Sequence, residues 1–145
     1  MTVFEDVFSD AQTEMVSMAL RYANGEVSDV FIQFTIQGNM CGVGLFYVKD
    51  AKVVRLEDRP VAHASYEIRR SLVSQMTDEV HRISLACAEA NRPVPVEGYL
   101  HYRVAPNSLD ARHSYDEIHD DDEDPVRSQR FFAWQREVQQ ELDSV

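Results

Sequence analysis

Positive charge, cysteine and long apolar runs are all scarce in this sequence. Its 145 residues carry 14 Lys and Arg against 25 Asp and Glu, a formal charge of −11. Such a surface repels polyanions, which disfavours nucleic acid and anionic membranes and leaves basic proteins or cations as natural partners. The 2 cysteines, Cys41 and Cys87, form no CxxC pair, as suits a reducing compartment, and both fall on apolar faces where buried free thiols are expected. No apolar run approaches about 20 residues, and Thr2 to Asp6 lacks a basic region followed by an apolar core, so a soluble cytoplasmic protein is expected. Metal signatures are missing as well. His63, His81, His101, His113 and His119 are scattered without an HExxH pattern. Gly42 and Gly44 lie in a strand rather than ahead of a helix, which excludes a phosphate loop.

What is present is regular periodicity, enough for one domain over residues 1–145. Thr2 and Glu5 can form a capping box. Phe4, Val7, Phe8, Ala11, Met15, Met18, Ala19 and Tyr22 then follow at helical spacing until Asn24-Gly25. Val30, Ile32, Phe34 and Ile36 alternate in a strand that stops at Gly38-Asn39. Cys41 to Lys49 is apolar on both faces, with Val43, Leu45 and Tyr47 on one and Phe46 and Val48 on the other, and is expected to be central. Lys52 to Leu56 completes a meander, ended by Glu57-Asp58-Arg59-Pro60. Ser65 can cap the longest helix, whose stripe is Ile68, Leu72, Met76, Val80, Ile83, Cys87 and Ala90. Pro93 and Pro95 break it.

Tyr99 to Val104 and Leu109 to Tyr115 read as a hairpin about Ala105-Pro106-Asn107-Ser108, with Pro106 at the first central position. The chain then enters Asp116, Glu117, Ile118, His119 and the run Asp120-Asp121-Asp122-Glu123-Asp124. Asp124-Pro125 signals a last helix, Asp as N-cap, with Phe131, Trp134, Val138 and Leu142 on its apolar face. One or two carboxylates explain that helix start; five in succession do not. The predicted order is α-β-β-β-α-β-β-α. This is an α+β domain with an antiparallel sheet of about five strands, the first two helices on one face and the last helping to cover the other.

For chemistry, Ser114 and His113 are strand neighbours on opposite faces and cannot easily meet as nucleophile and base. The acidic run lacks the glycine and spaced ligands of a calcium loop. The candidate partner-binding residues are Asp116, Glu117, Asp120, Asp121, Asp122, Glu123 and Asp124, with Tyr99 and Tyr115 as aromatic anchors.

The Phe4 to Tyr22 helix, Gly44-Leu45-Phe46-Tyr47, Pro95-Val96-Glu97-Gly98-Tyr99-Leu100-His101-Tyr102 and Ser114-Tyr115-Asp116 resemble the YezG-like immunity proteins of bacteria, in the same order over most of the chain. The resemblance implies a small cytoplasmic α+β protein that binds and neutralises a cognate toxin, often one ending in a nuclease domain, with no enzymatic activity and no cofactor. The family supplies no contact motif, so the contact residues rest on charge alone, and the length of the Asp120 to Asp124 run departs from the family. Two other readings compete. One is a divalent-metal enzyme using His113 to Asp124; the other is a self-associating regulatory module with Phe131 and Trp134 on a dimer face.

Overall fold

A computed structural model describes residues 4–56, 66–115 and 123–144, with only the backbone of 4, 5 and 123–128. The elements are α1 (Phe4–Tyr22), β1 (Asp29–Gln37), β2 (Met40–Lys49), β3 (Lys52–Arg55), α2 (Tyr66–Glu89), β4 (Glu97–Arg103), β5 (Ser108–Ser114) and α3 (Glu123–Asp143). The five strands form one antiparallel sheet in the order β3-β2-β1-β4-β5. This is the expected α+β order. The Thr2 half of the first capping box, the Glu57 to Pro60 stop and the Ser65 cap lie outside the described residues.

The ends of α1 and α2 and the start of α3 follow from their sequences. Gly25 N–H reaches Leu20 C=O at 3.0 Å and Asn24 N–H reaches Arg21 C=O at 3.1 Å, with Asn24 at φ 55°. Arg92 and Asn91 repeat this pattern on Cys87 and Ala88, with Asn91 also at φ 55°. Both are left-handed caps, with Asn where Gly is commoner. α3 starts at Glu123, one residue before the expected cap. Asp124 and Pro125 therefore stand in the first turn, where a missing N–H costs nothing.

The even positions of β1 and β4 and the odd positions of β2 face α1 and α2. There Ile32, Phe34, Leu45, Tyr47 and Leu100 pack on Met15, Ala19, Met76 and Ile83. Tyr47 is wholly buried, and its hydroxyl donates to Ala19 C=O at 2.9 Å, which ties β2 to α1. Ile68, read as part of the α2 stripe, is exposed instead. The opposite face carries Phe31, Phe46 and Val48 under Phe131, Trp134, Val138 and Leu142 of α3. Phe131 and Trp134 therefore face the chain's own sheet rather than a dimer partner.

β2 is internal and covered on both faces, as expected, while β1 is the middle strand and its interior is buried on both faces, including Gln33 and Thr35 at 5% exposure. One turn expectation changes. The β4–β5 turn is closed by Asn107 N–H to Val104 C=O at 3.1 Å, so Pro106 occupies the second central position. Asn107 takes the positive φ, 53°, and its Oδ1 accepts from Tyr102 Oη at 2.5 Å.

Two backbone positions are constrained, one by crowding and one by its φ. Gly98 pairs with Phe34 and lies beneath its ring, so a Cβ there would overlap the ring itself. Gly98→Ala is expected to lower the unfolding free energy by about 3 kcal/mol, read from the denaturation midpoint. The β2–β3 turn puts both Asp50 (φ 53°) and Ala51 (φ 62°) in the left-handed region, where alanine is strained. Ala51→Gly is expected to raise stability by about 1 kcal/mol in the same assay.

Candidate functional site

Asp116, Glu117, Asp120, Asp121 and Asp122 lie outside the described residues, and Glu123 and Asp124 are described only as backbone of the first turn of α3. The acidic segment thus joins the end of an edge strand to the start of the helix that covers the second sheet face. Its anchors, Tyr99 and Tyr115, do not converge. Tyr99 pairs with Arg112 across β4 and β5, so it looks toward α3, whereas Tyr115 follows β5 on the parity of His113, toward α1.

Tyr115 is 54% exposed and helps line a cavity of about 380 Å³ with Phe8, Gln12, Arg92, Pro93 and His113. His113 sits edge-on to Phe8 at 5.0 Å, and its Nε2 is 2.7 Å from Oε1 of the buried Gln12. An amide oxygen accepts, so Nε2 carries the proton and donates. Burial lowers the His113 pKa, which favours the neutral ring. Among the described residues no group of three His, Cys, Asp or Glu is placed to hold a metal ion. Nε2 of His113, a ligand in the metal-enzyme reading, is already engaged by Gln12.

The α3 side is built on a carboxylate that alternation alone would not single out. Glu97 is 2% exposed. Tyr99 Oη donates to its Oε2 at 2.9 Å and Gln33 Nε2 donates to the same oxygen at 3.2 Å, while Arg130 of α3 pairs with its Oε1. A buried carboxylate is tolerable only when donors replace the water it has lost, and here three side chains from β1, β4 and α3 do so. The Tyr99 hydroxyl pKa is raised, first by burial and then by its hydrogen bond to Glu97 and that group's charge. Its ring meets Trp134 edge-on at 4.9 Å, with the Arg112 guanidinium over it at 4.5 Å.

Next along β4, His101 stacks on Phe31 at 4.1 Å and places Nε2 2.6 Å from Asp29 Oδ2. Between these strands and α3 runs a cleft of about 350 Å³, with Arg103, Arg112, Glu137 and Glu141 at its rim and Phe31, Tyr99 and Trp134 in its wall. Sequence reasoning found Tyr99 and Trp134 here but missed Glu97, Gln33, Arg130 and the Asp29–His101 pair. The available signal was a Glu at an inward strand position facing an Arg-bearing helix.

The cysteines divide. Cys87 is buried, as expected, but Cys41 is only half-buried, and its Sγ lies 3.4 Å from His81 Nδ1 on α2. Burial raises the Cys41 pKa, which keeps it a thiol rather than a nucleophilic thiolate. Gly44, dismissed as a phosphate-binding residue, seats the Phe131 ring: a Cβ there would stand 3.0 Å from its Cε1. Among the described residues no helix is long and apolar enough to cross a membrane.

No protein-family model matches the chain, and no curated protein matches it.

The His113 environment sets a pH dependence. With the folded pKa below the ordinary 6.5, the unfolded chain binds more protons between the two values. This contribution is complete above about 6.5 and is lost as pH falls through the folded pKa. His113→Gln is expected to flatten the fall of the melting temperature between about pH 7 and pH 5, measured against the parent chain.

Proposed function

We propose that this chain is a cytoplasmic immunity protein that binds a basic cognate toxin, a nuclease domain, and neutralises it through an acidic surface. The observation that carries this reading is the concentration of charge. Seven of the 25 acidic residues of a chain with net charge −11 fall between Asp116 and Asp124, beside an exposed Tyr115. A nuclease is basic where it grips phosphates, and an acidic segment can occupy that surface in place of nucleic acid. Opposite charges also speed encounter, toward about 10⁸ to 10⁹ M⁻¹s⁻¹ at low salt, an advantage when a toxin must be caught before it cuts. The resemblance of the chain's residues to YezG-like immunity proteins supports the same reading, and the α+β order is compatible with it. On this reading the chain needs no cofactor and performs no reaction.

The experiment is capture of partners from a native bacterial lysate on the tagged chain, washed at low and then moderate salt, followed by a nuclease assay of the captured protein with and without added chain. Suppression of a stoichiometric basic nuclease supports immunity; a captured protein whose activity is unchanged contradicts it. Converting Asp120, Asp121 and Asp122 to Asn and Glu123 to Gln is expected to slow association at least about tenfold at low salt and to leave the melting temperature nearly unchanged. Equal association rates for both proteins across salt concentrations would remove the segment from the interface.

A further inference from the structure

α3 crosses its sheet face from β3 to β4 and leaves β5 uncovered. It packs on β3 and β2, where Phe131 seats on Gly44 and Gln139 Oε1 accepts the Val53 N–H of the edge strand at 2.8 Å. The other edge has no such cover: β5 is largely exposed, and the cleft of about 350 Å³ opens between it and α3. The charges of this cleft do not balance. Arg103 pairs with Asp110 and His101 with Asp29. Arg112 lies over the Tyr99 ring and, among the described residues, makes no ion pair. Glu137 and Glu141, one helical turn apart and exposed, likewise make none. Two carboxylates thus confront one guanidinium across a wall of aromatic rings.

We propose that the cleft receives an arginine side chain of a protein partner, its guanidinium held by Glu137 and Glu141 beside the Trp134 and Tyr99 rings. Arg112 shows in the same chain that this wall takes a stacked guanidinium, at 4.5 Å. A planar fork matches two carboxylates and a ring face, whereas a lysine ammonium is a compact, strongly hydrated point charge that gains less from both. This inference rests on the reading of the chain as a binder of a basic protein. It adds a second contact, in addition to the acidic segment, that discriminates among basic partners where diffuse charge cannot.

Trp134 is the sole tryptophan, so its indole N–H resonance and fluorescence report on the cleft without any partner in hand. The full chain is titrated with N-acetylarginine amide, with the lysine and citrulline analogues, with free L-arginine and with inorganic phosphate. The expected result is a saturable Trp134 shift with N-acetylarginine amide, at least about tenfold weaker for the neutral citrulline analogue. The E137Q/E141Q variant, changed only at exposed positions, is expected to lose at least about tenfold in apparent affinity for the arginine probe. Indistinguishable responses to arginine and citrulline probes, or an unchanged affinity in the variant, overturn the proposal. Phosphate alone shifting Trp134 would make the cleft an anion site read by Arg103 and Arg112. Free L-arginine binding at least about tenfold more tightly than the blocked probe would make it a metabolite site. Either result also overturns the proposal. Because no toxin enters the experiment, its failure leaves the immunity reading standing, and failure of the lysate experiment leaves the Trp134 titration interpretable.

Discussion

β1 has solvent on neither face, and the rest of the molecule is arranged to make that possible. Its even residues need α1 and α2, and its odd residues need α3, so three layers are required where a single helix layer would leave Phe31 and Phe46 wet. Burying each such aromatic ring is worth roughly 2 to 3 kcal/mol, a large share of the net stability of a small domain. The stacked Phe31–Phe46 pair at 4.7 Å, with Trp134 edge-on to both rings, is where α3 is held. Because α3 must also protect the β3 edge, it cannot cover β5 as well. The open cleft is a consequence of that geometry.

Glu97 adds orientation to this packing. Rings and aliphatic chains tolerate sliding, but a buried carboxylate bound by Gln33, Tyr99 and Arg130 fixes how α3 lies over β1 and β4. An apolar residue at position 97 could be as stable; what it would lack is a directional contact with the helix. That contact falls near the start of α3, where the acidic segment ends, so the network anchors one end of the segment proposed to meet the toxin.

Much of this was legible in the residues. Helical stripes, alternating strands, the Asn24-Gly25 stop and the opposing faces of β2 are local signals, and they gave all eight elements in order. The middle position of β1 was not, because the burial of polar Gln33 and Thr35 depends on neighbours from other elements, such as Glu97 against Gln33. The separation of Tyr99 from Tyr115 was hidden for another reason. Which strand positions share a face depends on the hairpin register, which a turn one residue different would reverse. Gly98 under Phe34 and Gly44 under Phe131 depend on cross-sheet neighbours that no local pattern records. The candidate contact segment was legible only as charge.

On the proposed reading, recognition uses the acidic connection and the cleft between β5 and α3, while α1 and α2 build the core. Hydrogen exchange measured on the free chain and on its complex with the basic partner it captures tests this most directly. Slowed exchange confined to β4, β5, the 116–124 segment and α3 is the predicted result; slowed exchange confined to α1 and α2 would contradict it.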